Sequence, residues 1–389
     1  MVSYRWCDTI SMMIGGYMRR SFPQGIATEG VFCNRETERS ALKKSIAERE
    51  HVVLMAPRRY GKTSLIAQTL KEINTPSINI DFFFVLTQME VLKAISEGVS
   101  HIISALLPKK KSASQKIIEV ITALNPKLTF NFFGQKLEIS TRQTTEKSIS
   151  ELLLTLDQFA EKTKKTCVIV FDEFQQIGEL TENHAVEAAI RHAVERSNHV
   201  SYIFCGSKRH LLNEMFTNKS RPLYHLCDLM TIDRIATTSY IPFLNKVSVA
   251  RWKKPLDKDS LSEIIHLTEN HPYYVNALCR KLWRGDDAPK IDKVRQCWDE
   301  YVIQQGVWIT DDLSRFTLNR KKIITALAFQ PISEPQGQEF SKRAGLAPSG
   351  IKKCIEDLHK LDMIFLDKNK QYRVLDPALA YYVRKNAIE

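Results

Sequence analysis

The stretch from His51 to Ser64, HVVLMAPRRYGKTS, constrains the fold more than any other feature of the chain. Its apolar run, 51–56, is too short for a helix and is halted by Pro57, so it reads as a buried strand entering a loop. Residues 62–73 then carry a helical pattern. Strand, tight loop and helix in that order are the setting in which GxxxxGK[ST] has physical meaning, and 56–64 fits it with Ala56 in place of the first glycine. Such a loop turns backbone N–H groups inward around phosphate oxygens, and the following helix adds the positive end of its dipole. Pro57, Arg58, Arg59, Tyr60 and Gly61 make the loop, with Gly61 permitting close backbone approach. Lys62 is placed to bridge β- and γ-phosphates, Thr63 to offer its hydroxyl to Mg²⁺, and Ser64 to follow in the first helical turn.

The short pattern is common by chance, and a second motif gives it weight. Val168-Ile169-Val170-Phe171-Asp172-Glu173 is an apolar strand ending in two carboxylates. Asp172 at the strand end suits the metal ion, held through water, and Glu173 one residue on suits polarisation of an attacking water. A polar group at the tip of a strand lying between these two motifs in space would sense the γ-phosphate. Ser207, closing the run Phe204-Cys205-Gly206-Ser207, is the candidate.

The rest of the chain alternates. Residues 35–49 predict an amphipathic helix, PSINIDFFF (76–84) a strand, and 89–106 a helix ending at Pro108 and the basic run Lys109-Lys110-Lys111. Residues 127–141 alternate around Gly134 as a hairpin, 147–162 read as a helix, and VSYIFC (200–205) and LMTIDRI (229–235) as strands. Alternating helices and apolar strands predict an α/β fold with a mostly parallel sheet covered on both faces. From about Ser239 helices separated by Pro242, Pro255, Pro272 and Pro289 replace the strands. Three short helices at 320–329, 337–345 and 348–361 then lead into two strands about Lys368-Asn369-Lys370, the pattern of a winged helix-turn-helix.

Composition narrows the class. A chain that is 43% hydrophobic and 26% charged buries real cores, which excludes disorder. No apolar stretch is long enough for a membrane span, and the start lacks a secretory signal. The 8 cysteines form no CxxC, so a zinc module is excluded and reduced thiols in the cytoplasm are expected. The net charge of +12 favours an anionic partner. It is densest in 318–389, with 13 Lys and Arg against 8 Asp and Glu.

With these residues in view, the chain resembles the archaeal-type family of P-loop ATPases, in the AAA+/STAND group, from about Arg19 to Arg384. The carriers are PRRYGKTSL (57–65), VIVFDEFQQI, FCGSKRHLLNEMF, PLYH, NHPYYVNALCRKLW, SGIKKCIEDLHKLDMI and YRVLDPALAYYVR, in that order. The resemblance implies ATP and Mg²⁺ as ligands. It implies a 19–238 P-loop core after an extension at 1–18, a helical lid at 239–317 and a winged helix at 318–389. It gives Lys62, Thr63, Asp172 and Glu173 the roles above and Ser207 that of first sensor. Asn34 and Arg35 match a segment lying beside the adenine, and Pro272 matches the GxP motif of the lid that approaches the nucleotide. Two positions depart: Asn270 stands for the glycine of GxP, and His225-Leu226 for a Gly-Arg that would supply an arginine finger. Arg221 and Arg234 are the nearest substitutes.

The expected function is a slowly hydrolysing ATP switch. One form is DNA-associated, akin to origin-recognition or transposition-regulator ATPases, with Arg343, Lys352, Lys353, Lys368 and Lys370 meeting double-stranded DNA. The other is a nucleotide-gated scaffold that forms homo-oligomers or binds a protein partner. Neither involves a membrane.

Overall fold

The computed structural model describes residues 21–107, 129–133, 136–140, 144–180 and 184–387. The expected extension at 1–18 and the basic run at 109–111 lie outside them. The sheet at the centre is built from β1 (Val52–Met55), β2 (Ser77–Asp81), β5 (Cys167–Asp172), β6 (Val200–Gly206) and β7 (Asp228–Thr231). All pair in parallel, in the order β2-β5-β6-β1-β7.

The three inner strands are apolar at nearly every position because both faces are covered. Val53, Ile169, Phe171 and Phe204 face one core, packed against the helices Gln88–Leu106, Thr145–Thr163 and Ala185–Val194. Val52, Leu54, Val170 and Ile203 face the other, with the helices Glu36–Glu48 and Lys62–Ile73. The expected hairpin forms as β3 (Thr129–Phe133) and β4 (Lys136–Ser140), antiparallel; its turn lies outside the described residues.

Helices follow from Thr237. Pro242 does not separate two of them, as the sequence predicted, but sits inside Thr237–Trp252. The helix continues through it, forgoing the one hydrogen bond that its missing N–H would make to the Thr238 carbonyl. The C-terminal unit comprises the helices Leu318–Phe329, Gln338–Ala344 and Pro348–Lys360, the antiparallel strands β8 (Ile364–Leu366) and β9 (Tyr372–Val374), and the helix Pro377–Asn386. Three helices followed by an antiparallel pair of strands is the order of elements expected from the sequence. Its core is continuous with that of the preceding helices: Leu278, Trp298, Ile324, Phe340 and Leu379 belong to one apolar cluster. Among the described residues no helix is long and apolar enough to cross a membrane.

Candidate active site

The loop between β1 and the helix Lys62–Ile73 has the shape its sequence demands. Gly61 takes a left-handed backbone, φ +86°, at the helix N-cap, and a Cβ built there would meet nothing within 4 Å. Glycine is therefore required for its backbone angle rather than for space. Ala56, by contrast, is not among the left-handed residues, so alanine meets no conformational penalty there; Arg59 is, at φ +65°. No side chain caps the helix, whose first internal hydrogen bond runs from Leu65 N–H to the Gly61 carbonyl at 2.9 Å. The N–H groups ahead of it are left for an anion. Lys62 is buried at 8% exposure, and its Nζ donates to the carbonyls of Ala56 (2.9 Å) and Pro57 (3.5 Å). Burial pushes its ammonium pKa down, while Asp172, Glu173 and Asp362 push back. The Ser64 hydroxyl faces the chain's opening segment, accepting the Ala27 N–H at 3.0 Å.

β6 lies between β1 and β5, so its tip stands between the phosphate loop and the acidic pair. Asp172 Oδ1 accepts the Glu173 N–H at 3.0 Å and the Cys205 thiol at 3.2 Å. Glu173 itself is left-handed, φ +50°. Its Oε2 accepts the Ser207 hydroxyl at 2.7 Å, the Ser207 N–H at 3.3 Å and Gln175 Nε2 at 2.6 Å. A third carboxylate, Asp81, ends β2 in register with Asp172. Burial raises its pKa, the Phe83 N–H opposes this, and Asp172 and Glu173 add to it.

Arg35 is buried and clamps backbone: its Nη2 donates to the carbonyls of Tyr60 and Asp233, both at 2.9 Å, and its Nη1 to Glu38 at 3.0 Å. Asn34 donates to Ser239 Oγ. Pro272 opens the helix Pro272–Leu282. The His271 ring lies 4.7 Å from Tyr60 and 4.9 Å from Tyr274. Burial holds the His271 pKa well down, helped by Arg234 and Arg59. Asn270 adopts φ +60°, an angle asparagine tolerates, which is how it replaces glycine; its amide donates to Thr237 Oγ1 at 2.9 Å. The Arg59 guanidinium sits 4.4 Å over Tyr273, so the loop touches the helix Pro272–Leu282 directly.

Both substitute arginines are engaged. Arg221 grips Glu187, which is 1% exposed, at 2.5 Å. Burial nevertheless pushes the Glu187 carboxyl up to about 7. Arg234 joins three parts of the molecule: Nε donates to Tyr60 Oη (3.2 Å), Nη1 to Glu269 Oε2 (2.6 Å), and Nη2 to the Leu375 carbonyl (2.8 Å). Its guanidinium also lies 4.8 Å over Phe365. Sequence reasoning missed a further ion pair, from Arg209 Nε and Nη2 to Asp362 Oδ1 at 2.9 and 2.6 Å. Arg209 stands two residues after Ser207, but nothing local marks Asp362 as its partner. Of the five basic residues expected at DNA, Arg343 donates to the Gln330 carbonyl at 2.9 Å and Lys368 pairs with Asp233 at 3.5 Å. Lys352, Lys353 and Lys370 are exposed.

Strand order, phosphate loop and acidic strand end define a P-loop ATPase of AAA+ type. A sequence profile for an ATPase domain predominantly from Archaea matches residues 32–278, well over half the chain, and the protein belongs to that family. No curated protein matches it significantly. Among solved structures it is similar to a Walker-type ATPase of Pyrococcus abyssi, with 19% identity, 94% of this chain and 99% of that one covered, and a TM-score of 0.66. It is also similar to the ORC2 protein of Aeropyrum pernix in ADPNP–ADP complexes, with 11% identity, 95% and 99% coverage and a TM-score of 0.56. At these identities the likeness is one of fold.

Proposed function

We propose that this ATPase is a slow cytoplasmic switch in which ATP and Mg²⁺, held between phosphate loop and lid, set the position of the C-terminal unit. The observation that carries the reading is Arg234: one side chain holds the phosphate loop through Tyr60, the lid through Glu269 and the C-terminal unit through Leu375. A change at the loop cannot leave the other two unaffected.

The donor set fits Mg²⁺. Among the described residues no three His, Cys, Asp or Glu side chains cluster as a metal cage. Mg²⁺ takes most of its ligands from phosphate and water with one or two protein oxygens, here Thr63 and Asp172. The ion supplies charge neutralisation at the phosphates. The N–H groups at the start of the helix Lys62–Ile73 and the Lys62 ammonium bind phosphate oxygens. Glu173 accepts the proton of the attacking water, and Ser207, already bonded to Glu173, reads the γ-phosphate. Arg221 and Arg234 are both committed elsewhere, which supports a low basal rate and an arginine supplied by a second copy or a partner.

The test is ATP turnover and ATP binding with Mg²⁺, beside Lys62→Ala and Glu173→Gln. Lys62→Ala loses ATP affinity; Glu173→Gln binds ATP but turns over roughly 10²–10³ slower. Turnover at the wild-type rate by Glu173→Gln sinks the base assignment. Stimulation by double-stranded DNA supports the DNA-associated form, which rests on the exposed Lys352, Lys353 and Lys370. ATP-dependent oligomers without a DNA effect support the scaffold.

A further inference from the structure

The geometry points to Gln175 as the positioning residue that keeps Glu173 aligned for hydrolysis, an inference that rests on Glu173 being the base. Gln175 is 0% exposed, and its Nε2 lies 2.6 Å from Glu173 Oε2. The carboxylate settles which way the amide points, because the opposite orientation would set two oxygens against each other. The amide's other end, Oε1, is buried without a hydrogen-bond partner. A fully buried amide half satisfied in this way is a destabilising feature, and a residue chosen for packing alone would be apolar.

The surroundings are shaped to admit it. A Cβ on Gly206 would come within 1.9 Å of Gln175 Oε1. Gly206 is not left-handed, so its backbone angle does not demand glycine; the room for the Gln175 amide does. The Phe174 N–H donates to the Cys205 carbonyl at 3.0 Å, fastening the turn that carries Glu173 to the end of β6.

The three donors on Glu173 all fall on Oε2, and among the described contacts none falls on Oε1. Two of those donors belong to Ser207. When Ser207 turns to a γ-phosphate, its hydroxyl leaves Glu173, and the Gln175 amide becomes the side-chain contact that still fixes the carboxylate. Gln175 holds Oε2 so that Oε1 faces the water.

The experiment is steady-state ATP hydrolysis and equilibrium ATP binding by the full chain carrying Gln175→Met, which keeps length and loses the donor. The expected result is a roughly 10–100-fold fall in kcat, the scale for residues that orient a reacting side chain, with unchanged ATP affinity and an unfolding midpoint no lower than wild type. Gly206→Ala gives the same kcat loss alone but adds little in a Gln175→Ala background, where the Cβ has nothing to displace. An unchanged kcat in Gln175→Met, or a lowered ATP affinity with kcat intact, overturns the proposal. So do fully additive effects of Gly206→Ala and Gln175→Ala. Glu173→Gln keeps the two readings apart: if it hydrolyses normally the base assignment fails. If it is inactive while Gln175→Met is normal, only the role of Gln175 fails.

Discussion

Asp362→Asn removes one charge from the contact between Arg209, just beyond β6, and the turn that leads into β8 of the C-terminal unit. Arg209 reaches one oxygen of Asp362 through two donors, at 2.9 and 2.6 Å. The side chains are 27% and 21% exposed. A fully exposed pair is worth about 0.2–1 kcal/mol, and a charge-assisted hydrogen bond with partial desolvation about 1.5–3. The pair lies between, at about 1–2 kcal/mol, a factor of roughly 5–30 in the ratio of docked to undocked C-terminal unit. Asp362 adds to the field on the Lys62 ammonium, and on the proposed reading loosening the C-terminal unit speeds nucleotide release. The assay is stopped-flow release of a fluorescent ADP analogue. Asp362→Asn and Arg209→Ala should each speed release about 5–30-fold. Added salt should move wild type part of the way toward the variants while leaving the variants flat, because a partly exposed pair is screened. Unchanged release in both variants would refute the docking argument.

Other outcomes follow from single side chains. His271 is held neutral by burial and by Arg234 and Arg59, while the unfolded chain takes up the proton near the ordinary value of 6.5. Its contribution to stability is therefore complete above pH 6.5 and lost as pH falls below. His271→Phe, which keeps the ring contacts, should shrink that acid decline in unfolding midpoint; burial of His51 and His359 leaves part of it in place. Arg221→Met removes the charge that holds the Glu187 carboxyl down at about 7, so at neutral pH the carboxyl takes up a proton and the fold should lose about 1–3 kcal/mol in urea titration, the loss growing as pH rises and the buried carboxyl is forced to ionise. If the protein binds DNA through the helix Pro348–Lys360, Lys352→Gln and Lys353→Gln should each reduce the log–log salt slope of binding by about 1 without changing sequence preference.

The fold was legible where patterns are local. The strand into the loop at Pro57, the helix Lys62–Ile73 and the three C-terminal helices fell within a residue or two of their expected bounds, because apolar period and proline placement fix them without reference to the rest of the chain. Ser207 could be named from the run that ends its strand together with the family resemblance, and the order β2-β5-β6-β1-β7 puts that strand between the two motifs. Asp362 and the threefold grip of Arg234 were not legible, because they depend on contacts between residues 35 to 174 apart in the chain; Gln175 sits two residues from Glu173, but its burial against Gly206 was not legible either. Arg35, which the resemblance matched to a segment beside the adenine, also satisfies two backbone carbonyls, a need that only the folded loop creates. Asn270 and Ala56 looked like departures and are accommodated by backbone angles that no spacing reveals.

The continuous core shared by the helices after Thr237 and the C-terminal unit bears on how such a protein can be recombined. Trp298 packs against Tyr301 and Tyr381, and Tyr274 donates to Asp376. A chimaera joined at 317/318 would cut through that core and leave both halves with mismatched apolar faces. One joined just before Ile235 would carry the helices after Thr237 and the C-terminal unit across together. The heritable module is thus the pair, and an exchange of the C-terminal unit between relatives should require moving both.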